Sequence, residues 1–413
     1  MDRLKTIIFI GTNKSGSSRE AIKAAERLGY FTILFTNNEK QLRQRKEYTD
    51  VHEMIFLDTN NLSEMKKEIM ILRSKGKDIK TIVSFIDSNV HRASILCDAF
   101  CQNVTSSKAI GIMENKEQTR TFLNNQPYTP KFFVIKPGET IAFETITTQL
   151  NLPVIVKSPK STGSKDVLLA KGKEQFEKHT ANLQEKNPNE SIIIEEYIEG
   201  DQYLVEALIC TSKVQIAGIM QQEITRGKRF IITGYGVLVD VPIEIQVGIE
   251  DVLNSIISQF GIQNGALHLE LRRSANGWKL IEINPRISGG AMNKMIQAAF
   301  GFNLVEETLK LYLGGSPSIQ PTCMNHVFTQ YLVVSKKGTL EKVTGKQRAR
   351  NSPGVIEVYV KPKKGTKLMP PLSMGHRYAY VIATGASIEE AKTFAQNAAN
   401  EITFHLAEET TER

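Results

Sequence analysis

The chain has 413 residues, which corresponds to two to four domains at roughly 100–200 residues per domain. Its 41% apolar content is ordinary for a globular protein, and its longest apolar runs are far shorter than the about 20 residues of a membrane span. The net charge of +8 comes from basic residues interleaved with acidic ones, without the basic blocks and stacking aromatics of nucleic-acid-binding proteins. We therefore expect no membrane and no nucleic-acid partner, and we attribute the charge to the gathering of a small anionic ligand.

The four cysteines are scattered and form neither a disulfide framework nor a zinc-binding pattern. The N-terminus enters an apolar strand directly and lacks the features of a signal peptide. These observations predict buried thiols and a reducing, cytoplasmic compartment. The cysteines are Cys97, Cys101, Cys210 and Cys323.

The first part of the chain alternates strands and helices. Residues 5–36 have the pattern of strand, loop, helix and strand, and a buried strand at 80–86 precedes a helix at 89–101. This alternation predicts a parallel, doubly wound sheet. The loop at 11–16 lacks the G-x-G-x-x-G spacing, and the second strand ends in Thr36-Asn37-Asn38 instead of an acid, so we expect a Rossmann-like scaffold that binds no NAD.

After about residue 115 the pattern changes to short strands around polar loops. An amphipathic helix at 248–261 precedes a β-hairpin at 265–286 that turns at Ala275-Asn276-Gly277. The last segment ends in an alanine-rich helix that begins near residue 387. The short strands are expected at 132–135, 152–159, 166–172, 191–198, 202–210 and 213–220.

The hairpin carries polar side chains on one face. His268 and Glu270 share a face on its first strand, as do Glu282, Asn284 and Arg286 on its second strand. Two carboxylates that approach each other across a hairpin repel unless a cation lies between them. Carboxylate and amide oxygens suit Mg²⁺, so the pattern indicates either a magnesium site or a solvated face with cross-strand pairs.

Lys157 closes the apolar run at 152–159 and is followed by a loop rich in Ser, Thr, Gly and Lys. Such a loop offers N–H groups, hydroxyls and a cation to phosphates, although a lysine at a strand end is also a common surface residue. The spacing of a Walker-type loop is absent. Further on, Glu195-Glu196 follows a buried strand and marks either an exposed strand end or a hinge whose backbone pairs with an adenine edge.

The order of these features closely resembles the ATP-grasp superfamily of carboxylate–amine ligases. The resemblance covers nearly the whole chain and implies a fold of the α/β and α+β classes. It places a Rossmann-like N-terminal domain at 1–112, a central part with the lid of the ATP-grasp fold at 113–200 (lid about 130–200), and the catalytic domain with a biotin-carboxylase-like C-terminal segment at 201–413. The motifs are Lys116, Lys157, the Gly/Ser loop, Glu195-Glu196-Tyr197-Ile198, Glu270 and Glu282-x-Asn284-Pro-Arg286.

The resemblance also implies roles for individual residues. Lys116 and Lys157 would bind ATP phosphates under the closing loop at 161–165, and Glu195 would take the adenine amino group. Arg286, with Lys157, would be catalytic and would meet the reacting carboxylate. Many relatives have Glu at the position of Gln202, which makes its ribose contact a departure from the pattern. The full nucleotide set is Lys116, Lys157, Ser161, Gly163, Ser164, Glu195, Glu196, Ile198, Gln202 and His268; the metal set, for two Mg²⁺ with Mn²⁺ as a substitute, is Glu270, Glu282 and Asn284; the substrate set is Arg286, Ser288, Gly289 and Gly290.

Within the superfamily, the domain order and the segment 285–296 look most like the bacterial L-amino-acid ligases. This resemblance implies an enzyme that joins two free amino acids into a dipeptide, and it allows a homodimer. The alternatives are another ATP-grasp ligase or carboxylase that acts on a small carboxylate, and a nucleotide sensor without catalysis. The segment 84–89 resembles the loop of the first domain that faces the site. Phe85, His376, Tyr378 and residues 225–236 are candidates either to line the site or to pack elsewhere.

Overall fold

The structure is a computed structural model that describes residues 4–102, 104–159, 166–226 and 230–407. The predicted loop residues Ser161, Gly163 and Ser164 lie outside these ranges. No helix in the described part of the chain has both the length and the apolar character needed to cross a membrane.

The N-terminal region is a four-stranded parallel sheet of order β3-β2-β1-β4. Alternate residues of β1 and β2 enter two different apolar clusters, so both faces are buried, as is usual for parallel sheets. This confirms the predicted α/β region. The strands are β1 (Leu4–Ile10), β2 (Phe31–Thr36), β3 (Glu53–Phe56) and β4 (Lys77–Val83), and the helices are α1 (Ser17–Arg27), α2 (Glu39–Arg43), α3 (Leu62–Ser74) and α4 (Val90–Phe100).

A second sheet, of order β5-β8-β6-β7, is antiparallel, and its strands lie between residues 132 and 196. Because these residues fall in the predicted lid part, we call it the lid sheet. One face packs on α7 and α8 around a small apolar cluster that includes Phe176 and Ile194. Its elements, with the two helices that precede it, are α5 (Ser107–Met113), α6 (Lys116–Phe122), β5 (Phe132–Ile135), α7 (Phe143–Thr147), β6 (Val154–Lys157), β7 (Val167–Ala170), α8 (Lys173–Lys186) and β8 (Ile192–Glu196).

The remaining chain builds an eight-stranded antiparallel sheet of order β13-β12-β9-β10-β11-β14-β18-β16 and a small sheet of order β17-β15-β19. The strands are β9 (Asp201–Cys210), β10 (Lys213–Arg226), β11 (Phe230–Val237), β12 (Gly265–Ser274), β13 (Gly277–Asn284), β14 (His326–Leu332), β15 (Gly338–Thr344), β16 (Val355–Val360), β17 (Lys367–Leu368), β18 (Ala379–Gly385) and β19 (Thr403–Ala407). The helices are α9 (Ile243–Phe260), α10 (Met292–Phe300), α11 (Leu304–Tyr312), α12 (Lys346–Arg350) and α13 (Ile388–Asn400).

One apolar cluster joins the N-terminal sheet to the large sheet. It contains Phe9 of β1, Ile22 of α1, Met220 and Tyr235 of the large sheet, and apolar side chains of α10. The opposite face of the large sheet is covered by α9, whose buried side chains recur every three to four residues. The face toward α10 and the N-terminal region is the one that carries the polar side chains of the hairpin.

Candidate active site

The β12–β13 hairpin brings together the residues that were predicted to hold a metal. Glu270 lies directly opposite Glu282, and His268 lies opposite Asn284. The hairpin turns between Ser274 and Gly277, as predicted. Side chains that are directly opposite in an antiparallel pair lie on the same face, with Cβ atoms about 5 Å apart.

Burial raises the pKa of the Glu270 carboxyl, and the charge of Glu282 raises it further. A hard dication between the two carboxylates would remove this penalty, and the Asn284 amide oxygen would add a third ligand. Asn284 Nδ2 lies 3.4 Å from Glu282 Oε1. Among the described residues no group of three or more His, Cys, Asp and Glu side chains could hold a metal, and the predicted ligand set of two carboxylates and an amide stays a prediction.

Lys116 points at the same carboxylates. It is the first residue of α6, which begins there because the Asn115 side chain accepts hydrogen bonds from the N–H groups of Glu117 and Gln118. Lys116 Nζ lies 3.4 Å from Glu282 Oε1. The structure therefore places this predicted phosphate ligand beside the predicted metal ligands, where a metal-bound polyphosphate would need a second cation.

Lys157 and Glu195 form a buried ion pair, and Arg120, which was not predicted from the sequence, forms a second ion pair with Glu195. Lys157 Nζ lies 2.6 Å from Glu195 Oε2, and Arg120 Nε donates to Glu195 Oε1 at 2.6 Å. Arg120 also donates to the carbonyl of Ile281 at 2.8 Å, which ties the lid sheet to β13. Two cations and one carboxylate leave a net positive charge close to the predicted metal ligands.

This cluster changes the proton affinity of its members. Burial lowers the pKa of the Lys157 ammonium to about 8, and the neighbouring Arg120 and Lys116 oppose its charge as well. Burial would raise the pKa of Glu195, but the charges of Arg120 and Lys157 outweigh burial and hold it below its usual value. Glu195 is thus the counter-ion of Lys157 here, and both the phosphate role of Lys157 and the adenine role of Glu195 stay predictions.

The segment that follows Glu195 is tied to the hairpin by a chain of hydrogen bonds. Gln202 Nε2 donates to Glu270 Oε2 at 2.7 Å, and Arg272 Nε donates to Gln202 Oε1 at 2.9 Å. Arg272 also donates to the carbonyl of Ile198. The Glu196 N–H donates to the carbonyl of Lys131 within the lid sheet, at 3.0 Å. Gln202 thus orients the Glu270 carboxylate, and the metal, adenine and ribose contacts of this segment stay predictions.

Arg286 meets the N-terminal region at the predicted place. Its Nε forms an ion pair with Asp87, which lies in the segment 84–89 just after β4. A guanidinium that an aspartate orients is well placed to stabilise a developing oxyanion. Phe85 of the same segment is buried against Tyr312, with ring centroids 6.4 Å apart.

Ser288, Gly289 and Gly290 follow Arg286 as an open loop. A Cβ atom added to either glycine would meet nothing within 4 Å. The Ser288 hydroxyl oxygen is buried and has no hydrogen-bond partner among the described residues. The Ser288 carbonyl accepts hydrogen bonds from Ser17, at the start of α1, and from Asn293 in α10. The loop is thus anchored by α1 and α10 at Ser288 and has free space beside Gly289 and Gly290.

A fully buried carboxylate, Glu206, holds this loop to the large sheet. Its Oε2 accepts the Ser288 N–H at 3.0 Å, and its Oε1 lies 2.7 Å from His268 Nδ1. Burial would lower the pKa of His268, but the Glu206 charge outweighs burial and raises it. Sequence reasoning missed Glu206, although a single carboxylate within the apolar run 203–209 was a visible signal.

A second group of polar side chains lies farther along the same face of the sheet. Gln222, Tyr235 and Thr329 are directly opposite one another across β10, β11 and β14. Arg377 donates to the Tyr235 hydroxyl at 3.3 Å, and its guanidinium carbon lies 3.9 Å from the centre of the Tyr331 ring. The structure does not bring the sequence candidates on either side of Arg377 to this face. The Tyr378 hydroxyl donates to the carbonyl of Met369, and His376 Nδ1 lies 3.2 Å from the N–H of Leu372.

Two family models match the chain. Residues 150–294 match the ATP-grasp domain, and residues 330–407 match the L-amino acid ligase C-terminal domain 2. The first match spans the lid sheet beyond residue 150, the ion-paired Lys157 and the whole hairpin, and the second contains Tyr331 and Arg377.

Known proteins and structures agree with these matches. The chain is 21% identical to the L-arginine-specific L-amino acid ligase of Bacillus subtilis, over 76% of this chain and 77% of that protein. The fold matches the L-amino acid ligase of Bacillus licheniformis with a TM-score of 0.81 at 18% identity, covering 99% of this chain and 100% of that one. It also matches the biotin carboxylase domain of the Hydrogenobacter thermophilus 2-oxoglutarate carboxylase, with a TM-score of 0.70 at 15% identity and coverage of 99% and 92%. The predicted ATP-grasp fold is thereby confirmed.

Proposed function

Because the chain is a member of the ATP-grasp superfamily of carboxylate–amine ligases, we propose that it joins two L-amino acids into a dipeptide and converts ATP to ADP and phosphate. The observation that carries this proposal is the open loop of Gly289 and Gly290, which follows Arg286 after Ile287 and Ser288. A small substrate fits in front of the glycines, with its carboxylate at the guanidinium and beside the predicted phosphate site. The match of residues 330–407 to the L-amino acid ligase domain supports the same substrate class.

In this proposal, two lysines bind the phosphates of ATP and the hairpin residues hold its metal ion. Lys116 and Lys157 bind the phosphates, and Glu270, Glu282 and Asn284 hold Mg²⁺, which when bound neutralises charge on the transferred phosphoryl group. We propose two magnesium ions, with Mn²⁺ as a substitute. The cytoplasm, where ATP and free amino acids occur together, is the proposed compartment.

The reaction then has two steps. A carboxylate oxygen of the donor amino acid attacks the γ-phosphorus, the bond from that phosphorus to the β–γ bridging oxygen breaks, and ADP leaves. The amine of the acceptor attacks the carbonyl carbon of the acylphosphate and loses a proton, and phosphate leaves as the amide bond forms. Arg286 stabilises the tetrahedral oxyanion of the second step, and Asp87 keeps the guanidinium aimed.

A single assay tests the proposal. The protein is incubated with ATP, Mg²⁺ and pooled L-amino acids, and ADP, phosphate and new masses are measured. We expect ADP formation that depends on amino acids, together with a dipeptide mass. ADP formation that depends on bicarbonate, or on a carboxylic acid without an amino group, would contradict the proposal and favour a carboxylase or a different ligase. Bound ATP without turnover would favour a nucleotide sensor.

A further inference from the structure

The proposed reaction involves two amino acids and therefore two α-carboxylates with different fates. The donor carboxylate is consumed at Arg286, whereas the acceptor carboxylate keeps its negative charge throughout. An anion that is bound away from bulk water needs a cation or several N–H donors. The phosphate lysines and Arg286 already have partners in the first half of the reaction, so the acceptor needs a separate cation.

Among the described residues, Arg377 is a cation without an anionic partner. Its neighbours are the hydroxyl of Tyr235 and the ring of Tyr331, and within the described residues no carboxylate forms an ion pair with it. Its Nε is buried and has no hydrogen-bond partner in the same part of the chain. The Arg377 side chain is only half-buried, but its Nε is enclosed, and an enclosed donor without a counter-ion is costly unless a ligand completes its bonding.

The polar side chains near Arg377 also contain buried atoms that lack hydrogen-bond partners among the described residues. Both polar atoms of the Gln222 side chain and the hydroxyl of Thr329 are buried without a hydrogen-bond partner among the described residues. Gln222 and Thr329 flank Tyr235 on adjacent strands, so their side chains and that of Tyr235 share one face. The unused amide N–H groups of Gln222 and the free Nε–H of Arg377 are donors, as an anion requires.

This group lies on the active-site face and is linked to the glycine loop. Across the sheet, Glu270 lies opposite Leu204, Leu204 opposite Met220, and Met220 opposite Val237. Gln222 lies two residues after Met220 on β10, and Tyr235 lies two residues before Val237 on β11, so both are on the same face. The Glu270 charge acts on the Tyr235 hydroxyl and raises its pKa, although burial contributes more. Burial raises the pKa of the Tyr331 hydroxyl, and the backbone of Ala291, the residue after Gly290, opposes this rise.

We propose that Arg377, together with Gln222 and Tyr235, binds the α-carboxylate of the acceptor amino acid and directs its amine toward the carbonyl that Arg286 holds. This inference rests on the proposed dipeptide synthesis and names the residues that recognise its second substrate. The planar guanidinium and the Gln222 amide can donate to both carboxylate oxygens, whereas the donor amino acid is served by Arg286 and the glycine loop.

The test separates the acceptor from the donor. Arg377→Met is assayed with each acceptor amino acid that the wild-type enzyme accepts and with the α-carboxamide of the same amino acid. In parallel, hydroxylamine replaces the acceptor, so that hydroxamate formation reports the acylphosphate of the donor alone. We expect the KM of the amino-acid acceptor to rise about tenfold to hundredfold. The KM of the carboxamide and the rate of hydroxamate formation should stay unchanged.

Three further variants control this result. Arg348→Met removes an exposed arginine of the same C-terminal segment and should change neither KM nor hydroxamate formation. Arg377→Lys retains a cation and should restore part of the acceptor affinity. Gln222→Met removes the amide at nearly constant volume and should show the same split between acid and amide, at about threefold to tenfold. It tests the site even if Arg377→Met fails to fold.

An equal rise in KM for the acid and the amide in both Arg377→Met and Gln222→Met would overturn the proposal, because it would indicate only a structural role. A parallel loss of hydroxamate would also overturn it, by assigning Arg377 to the donor. Failure of the proposed function looks different, because the wild-type enzyme would then show no ADP formation that depends on amino acids.

Discussion

The two ends of the active-site face differ in whether their charged side chains have oppositely charged partners. At the phosphate end, formed by Lys116, Arg120, Lys157, Glu195 and Glu282, every one of these charged groups has an oppositely charged partner within 3.4 Å. At the acceptor end, formed by Gln222, Tyr235, Thr329, Tyr331 and Arg377, the cation has no anion and several polar atoms have no partner among the described residues.

The proposed roles of the two ends account for this difference. ATP would bring many negative charges, and the ion pairs at the phosphate end would hold lysines and carboxylates in place before ATP and metal arrive. An amino acid would bring a single carboxylate, for which the acceptor end would keep its donors unpaired. Pre-positioned groups reduce the reorganisation that binding and catalysis require. The following experiments test each end.

The largest expected effect is on a metal carboxylate. Glu282→Ala removes one of the two hairpin carboxylates, and we expect turnover to fall about a thousandfold because charge on the transferred phosphoryl group loses its compensation. ADP release measures turnover, and thermal unfolding should change little because Glu282 is partly exposed. Glu244→Ala, at an exposed carboxylate on α9, is the control and should be silent. Retained activity in Glu282→Ala would show that the metal assignment is wrong.

The next effect is on stability at the phosphate end. Glu195→Gln leaves two buried cations without their carboxylate, and we expect the free energy of unfolding to fall by about 3–5 kcal/mol. Glu196→Gln changes the adjacent and more exposed carboxylate and should cost no more than about 1 kcal/mol. Denaturant titration measures both variants. Similar losses in the two would mean that the Arg120–Glu195–Lys157 cluster does not stabilise the fold.

The pKa of Lys157 predicts how ATP binding depends on pH. Because burial lowers this pKa to about 8, the folded apo enzyme loses the charge above that pH, while the unfolded chain keeps it to about 10.4. The KM for ATP should therefore rise about tenfold per pH unit above pH 8, whereas the contribution of Lys157 to stability increases over the same range. In Lys157→Arg the rise should vanish, because arginine stays charged. A rise that persists in Lys157→Arg would assign it to another group.

The smallest effect concerns the support of the glycine loop. In Glu206→Gln, burial acts on His268 without the opposing carboxylate, so we expect the pKa of His268 to fall below about 6.5. Histidine NMR titration measures this change, and His268→Gln identifies the signal among the seven histidines. We also expect about a tenfold loss of turnover, since Ser288 loses its anchor. An unchanged His268 titration would show that the pair with Glu206 does not form in solution.

The parts of the active-site face that depend on residue spacing within one strand or one hairpin could be predicted from the sequence. The alternation of Glu282, Asn284 and Arg286 predicted their common face, and Gly277 predicted the turn that aligns Glu270 with Glu282. The parallel N-terminal sheet followed from the alternation of strands and helices. The four-residue edge strand β3 was missed because it is short and only half buried.

The partners of the predicted residues could not be found in this way. Arg120 lies on a short polar helix whose sequence is typical of an exposed helix, and its partner Glu195 is 75 residues farther along the chain. Arg272 and Arg377 lie at or beside strand positions that suggest ordinary exposed cations. Only the register of neighbouring strands and the packing of α10 bring these residues to one face, and neither is encoded in the local sequence.

The most direct test of the central claim follows one oxygen atom. The donor amino acid is supplied with ¹⁸O in both carboxylate positions, and the released phosphate is examined by mass spectrometry. If a carboxylate oxygen attacks the γ-phosphorus of ATP, each phosphate released with a dipeptide carries one ¹⁸O, and the new peptide carbonyl keeps the other. Unlabelled phosphate, or ¹⁸O in AMP, would contradict the acylphosphate mechanism and the assignment of this face to it.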